Sequence, residues 1–187
     1  MNIFSGLQGP QTIFETDSKY NGHVKVLEFS NGTRKIRVDN IDQSISHFSP
    51  ACSRLYWGKV IEILKETQPE LKDMLVLGLG GGTLVHLISK NFPGVKITSV
   101  EIDETMVNIA KNYFDLDSIP DHNVILDDAL RVAIEPEKFG IREYSFDGLL
   151  VDIFVGEKFP DLGRSGNFIG ALKRLLKPGG VIIFNRI

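Results

Sequence analysis

Leu77-Gly78-Leu79-Gly80-Gly81-Gly82-Thr83 carries four glycines in five consecutive positions. It lies between a short apolar run, Met74 to Leu77, and the helical spacing of Leu84, Leu87 and Ile88 within Thr83 to Asn91. A strand-to-helix turn demands backbone conformations that a Cβ disfavours, and a ligand brought against the main chain needs the same bareness. The following helix offers free N–H groups and a positive dipole end to a polar or anionic group. The spacing separates ligands. A dinucleotide fingerprint places glycine at its first, third and sixth positions, and the sixth here is Thr83. A phosphate loop ends in Gly-Lys-Ser or Gly-Lys-Thr, and this one has no lysine. NAD and ATP are therefore disfavoured.

Downstream, strands and helices alternate. Val95 to Ile102 reads as a strand and Glu104 to Phe114 as a helix with Met106, Ile109, Ala110 and Tyr113 inward. Val124 to Leu126 and Phe146 to Val151 are further strands. Phe168 to Leu176 is a helix stopped at Lys177-Pro178-Gly179-Gly180, and Val181 to Phe184 is a fifth strand. Strands that are apolar throughout and alternate with helices imply a parallel sheet covered on both faces. Three carboxylates stand at the ends of these strands. Glu101 is placed to accept hydrogen bonds from a ribose. Asp128 is placed to accept one from an adenine amino group, or to cap a helix. Asp152 closes an apolar strand, where a carboxylate is costly to bury without a partner. Asp103 reads as the cap of the Glu104 helix.

Upstream, the character changes near residue 50. Val24 and Val26, then Ile36 and Val38, alternate with polar residues around Ser30-Asn31-Gly32-Thr33, a hairpin signal. A short third strand runs through Ile41 to Ile45, and Ser49-Pro50 is expected to start a helix that stops before Pro69. The boundaries expected are 1–48 for the β-hairpin subdomain and 49–187 for the α/β domain.

Composition excludes more than it assigns. The chain has 187 residues and a net charge of −3, with 42% apolar and 24% charged residues. That balance argues against a nucleic-acid binder. Thr33-Arg34-Lys35-Ile36-Arg37 reads as a solvated basic strand face. No apolar run approaches the ~18 residues needed to span a bilayer, and the N-terminus lacks the pattern of a secretory signal. No membrane association and a cytoplasmic location are expected. One cysteine, Cys52, allows no internal disulfide. His23, His47, His86 and His122 show no ligand spacing, so no metal is expected.

Taken together these residues resemble the class I S-adenosylmethionine-dependent transferases, and more narrowly the spermidine synthase family with its methyltransferase-like relatives. The glycine loop, Glu101, Asp128 and Lys177-Pro178-Gly179-Gly180 carry the general likeness. Val76 before the loop, Asp39-Asn40-Ile41-Asp42-Gln43-Ser44 and the placement of Asp152 carry the narrower one. The resemblance implies an α/β, Rossmann-like class I methyltransferase fold behind a small N-terminal β-hairpin subdomain, without the family's last two strands. It implies that Gly78, Gly80, Gly81 and Gly82 contact the donor and that Glu101 holds the ribose beside Ile102. Asp128 would read the adenine beside Ala129, and Gln43 would close the site. Asp152 would bind and deprotonate an attacking amine, and Tyr56 would either approach the pocket or pack in the core.

Two departures qualify the likeness. The family carries an aspartate where Gly81 stands and a second one where Val155 stands. Both acids serve cationic amines, and charge-assisted hydrogen bonds contribute roughly 1.5–3 kcal/mol each. The expected activity is therefore methyl transfer from S-adenosylmethionine to a small-molecule acceptor, an amine. Aminopropyl transfer from decarboxylated S-adenosylmethionine to putrescine is the alternative, and a non-catalytic nucleoside-binding module is the third reading. An open edge at the fifth strand, with the family analogy, leads to the expectation of a homodimer.

Overall fold

The computed structural model describes residues 9–154 and 166–185. Its first layer is an antiparallel sheet of β1 (Gln11–Ser18), β2 (Gly22–Glu28), β3 (Arg34–Val38) and β4 (Ile41–Ile45), in that order. β2 and β3 pair around Asn31-Gly32, Gly32 having φ +79°. Their alternation sends Val24, Val26, Ile36 and Val38 to one buried face. β1 is an addition to the hairpin and third strand expected from sequence. Its alternation is interrupted by a register shift between Thr12 and Phe14, and no residue in it is fully buried, so its period-two signal is weak.

The helix expected at Ser49-Pro50 begins later, at α1 (Tyr56–Thr67). Residues 49–55 instead form successive turns, with Cys52 N–H donating to the Ser49 carbonyl and Leu55 N–H to the Ala51 carbonyl. Leu55 is extended and supplies no side-chain cap. The Ser-Pro pair starts a turn here, which its preferences allow equally well.

The second sheet is parallel, in the order β7-β6-β5-β8-β9. Its elements are β5 (Asp73–Leu77), α2 (Thr83–Asn91), β6 (Lys96–Glu101), α3 (Glu104–Tyr113), β7 (His122–Leu126), α4 (Ala129–Ile134), β8 (Phe146–Val151), α5 (Gly166–Leu175) and β9 (Leu176–Phe184). β5 lies at the centre. Met74 and Val76 point into a core shared with α1 and α2, and Leu75 and Leu77 into one shared with α4 and α5. Burial on both faces explains the apolar runs. β9 starts earlier than Val181, because Leu176 already pairs with Phe146 before a register shift. The Lys177 ammonium pins that irregular start between Asp73 (2.7 Å) and Asp147 (2.9 Å).

The first sheet lays its buried face on α3, where Val24, Val26, Ile36 and Val38 pack with Met106, Ile109 and Phe114. This contact brings β4 over the carboxyl ends of the parallel strands. Among the described residues no helix is long and apolar enough to cross a membrane.

Candidate functional site

The glycine loop leaves β5 with positive φ at Gly78 (+96°), Gly80 (+54°) and Gly82 (+77°). A Cβ on Gly78 would run into the Asp152 main-chain carbonyl, so the β5 and β8 ends approach too closely for any side chain there. A Cβ on Gly81 would lie 2.8 Å from Ser44 Cβ and 2.9 Å from Ile36 Cδ1. The first sheet thus rests directly on the loop. Three hydrogen bonds fasten it there. Gly81 N–H donates to Ser44 Oγ (2.7 Å), Thr83 Oγ1 donates to the Ile45 carbonyl (2.6 Å), and Ile45 N–H donates back to Thr83 Oγ1 (3.2 Å).

These contacts correct one expectation. Every amide from Gly78 to Gly82 already has an acceptor in the protein. Gly78 donates to the Val100 carbonyl and Gly82 to the Leu79 carbonyl. Leu79 and Gly80 donate to Glu101 Oε2 at 3.0 and 3.4 Å. The loop shapes a wall and does not offer this set of amides to an anion. Gly81 and Gly82 fall outside the cavity wall, Gly81 under Ser44 and Gly82 against the Leu116 side chain.

The cavity between the loop, β4 and the strand ends has a volume of about 620 Å³. Gly78, Gly80, Glu101, Ile102, Asp128, Ala129, Gln43 and Asp152 all line it. Glu101 is 8% exposed. Burial pushes its carboxyl above the ordinary value, opposed by the amides of Leu79, Asp103 and Gly80. Asp103 caps α3 through Thr105 N–H (2.9 Å), as expected, and also accepts from Ser18 Oγ and from Asn21 Nδ2 (2.6 Å). That clamp holds the β1–β2 turn at the cavity, where Tyr20 and Asn21 join its wall. Asp128 lines the cavity and also caps α4, accepting from Leu130 N–H (2.8 Å).

Asp152 sits just past β8 with its main-chain N–H donating to the Leu77 carbonyl (2.8 Å). Tyr56 Oη donates to its Oδ2 (2.9 Å) and Asn185 Nδ2 to its Oδ1 (2.8 Å). Burial raises the Asp152 carboxyl above its ordinary value, and those two donors work in the other direction. Burial and the adjacent carboxylate raise the Tyr56 phenol, which stays protonated. Tyr56 meets both expectations, lining the cavity while its ring packs against the core shared by α1 and α2. Sequence reasoning passed over Asn185 and Ser44. For Asn185 the available signal was a polar residue directly after an apolar strand, the same signal that marked Asp152.

Four carboxylates line the cavity (Asp42, Glu101, Asp128 and Asp152), and among the described residues no Lys, Arg or His does. Asp42 is already paired with Lys35 and Arg37, each at 2.7 Å. A cationic nucleoside fits this lining. The carboxylates supply acceptors for hydroxyl and amino groups, and Ile102, Ala129 and Phe154 supply apolar wall. Val155 lies outside the described residues. The histidines form no metal set among the described residues; His47 and His86 stack at 4.0 Å away from the cavity, and Trp57 and Cys52 are buried.

Comparison with known proteins gives consistent results. A family profile described as "Spermine/spermidine synthase domain" matches residues 54–186. A polyamine aminopropyltransferase of Vibrio vulnificus is 31% identical over 147 residues, 76% of this chain and 48% of the relative. An eEF1A lysine and N-terminal methyltransferase homolog of Drosophila melanogaster is 33% identical over 124 residues, 62% of this chain and 18% of the relative. The crystal structure of a probable spermidine synthase from Corynebacterium glutamicum superposes with a TM-score of 0.76 at 20% identity, covering 95% of this chain and 64% of that one. The chain therefore spans about half the length of the first relative and less than a fifth of the second.

Proposed function

The chain belongs to the spermine/spermidine synthase family, and from that membership we propose a transferase that moves a methyl group from S-adenosylmethionine to an amine acceptor. The observation that carries the choice of methyl transfer is the packing over Gly81. Ser44 and Ile36 fill the space in which an acid at that position would have to sit. Gly81 itself lies behind the cavity wall, so this position of the loop supplies no partner for a diamine's second charge.

When bound, the sulfonium donor supplies an electrophilic carbon whose bond to sulfur breaks as the amine lone pair attacks. The residues of this chain provide the rest. Glu101 receives the ribose hydroxyls and Asp128 the adenine amino group. Gly78 and Gly80 keep the wall bare, and Gln43 closes it from β4. Asp152 orients the incoming amine and takes its proton, a role that alignment and proton transfer together support. A homodimer in the cytoplasm belongs to the same proposal; a concentration-independent monomer in sedimentation counts against the dimer.

Aminopropyl transfer from decarboxylated S-adenosylmethionine is the second reading. One observation favours it: no cation lines the cavity among the described residues, and the loop amides are engaged. A donor without a carboxylate suits such a lining. The by-products separate the two. Incubation of the full chain with each donor and an amine mixture should release S-adenosylhomocysteine. Methylthioadenosine and spermidine formed at a useful rate from putrescine would overturn the preference. Turnover abolished by Asp152→Asn with nucleoside affinity intact distinguishes an enzyme from a non-catalytic nucleoside-binding module.

A further inference from the structure

We propose that Asn185 is a positioning residue, its side-chain amide holding the Asp152 carboxylate in the orientation from which it meets the acceptor. The proposal rests on the transferase reading above and adds a part that neither the family likeness nor the strand-end carboxylates suggested.

The placement follows from the sheet. β8 and β9 are parallel neighbours, with Val151 opposite Phe184. Asn185 N–H continues the ladder by donating to the Val151 carbonyl at 2.9 Å. Asp152 and Asn185 are therefore adjacent at the same end of adjacent strands, and both line the cavity. A carboxylate only accepts, so the nitrogen of the Asn185 amide must face it. The 2.8 Å bond to Oδ1 meets that requirement. Tyr56, reaching in from α1, occupies Oδ2. The carboxylate is gripped at both oxygens, each by a neutral donor.

This grip has two effects. It fixes the plane of the carboxylate on rigid elements, which restricts the direction in which an amine approaches. It also offsets part of the cost of holding a charge away from water. Among the described residues, Tyr56 is the titratable group hydrogen-bonded to Asp152. Glu101, Asp128 and Asp42 line the same cavity, the last with its Lys35 and Arg37 partners. Asn185 carries no charge of its own, so its removal changes the setting of Asp152 without adding or deleting a titrating group.

The test uses the full chain with carbon-13 aspartate and follows the Asp152 carboxyl by NMR across pH, in the native protein and in Asn185→Leu. Loss of a hydrogen bond to a charged group should move the Asp152 midpoint upward by about one to two pH units. The acid limb of kcat/KM for the acceptor should move with it, and donor affinity read by calorimetry should hold. An unchanged midpoint in a folded variant overturns the proposal, and so does an equal loss of donor affinity, which marks general loosening. Asn185→Ala serves if the leucine variant fails to fold. The titration needs neither donor nor acceptor. Absence of turnover with both donors therefore sinks the transferase reading separately from the Asn185–Asp152 bond.

Discussion

Glu101 and Asp152 are both held largely out of water, and both are raised above their ordinary values by that burial. They differ in what faces them. Glu101 accepts from three main-chain N–H groups, Leu79, Gly80 and Asp103. In Glu101→Gln the new NH₂ must face one of them, leaving donor against donor. Calorimetry with S-adenosylmethionine should show affinity falling roughly ten- to hundredfold; an unchanged affinity removes Glu101 from the donor site. Asp152 has a consequence for stability. Its ordinary value is 3.8 and the folded value lies higher. Between the two, the folded state holds a proton that the unfolded chain releases, so stability declines as pH rises through that interval and then levels. Asp152→Asn should remove this decline. Urea midpoints measured against pH test it, and a wild-type curve no steeper than that of the variant refutes it.

At the scale of elements, the decisive joint is β4 on the glycine loop. Gly81→Ala places a methyl group within 3 Å of Ser44 Cβ and Ile36 Cδ1. Overpacking of that kind costs about 1–3 kcal/mol. Thermal unfolding should fall by several degrees at this chain length, and an unchanged midpoint would show that β4 yields freely. The same joint marks the limit of what the sequence discloses. The central strands β5 and β8 were legible because burial on both faces writes apolar runs, and Phe146 to Val151 is observed as read. Gly78 and Gly80 line the cavity, but the sequence did not separate them from Gly81 and Gly82, which do not. The partners of the loop were not legible. Ser44 and Gly81 are far apart in the chain, and nothing local to either says that they meet. β1 was missed because a bulge breaks its alternation. The start of α1 was misplaced because Ser-Pro serves a turn as readily as a helix. Glu101, Asp128 and Asp152 were singled out by their positions after strands, and all three line the cavity, Asp128 while also capping α4.

For the molecule as a whole, the two sheets share a core. Met106 and Ile109 of α3 pack against the first sheet, while Ala110 of the same helix packs towards the second. A single heat-absorption peak is expected in calorimetry. Met106→Ala, which empties a side chain 1% exposed, should cost about 2–5 kcal/mol of stability and move that peak to lower temperature without splitting it; two separate peaks would show that the sheets melt independently. The ring of internal hydrogen bonds around the loop bears on timing. A floor whose amides, carboxylate and overlying strand are already joined has no rearrangement to complete when a guest arrives. Stopped-flow association of an adenosyl compound should follow one exponential, its rate rising in proportion to concentration with no plateau, as for a socket that waits open.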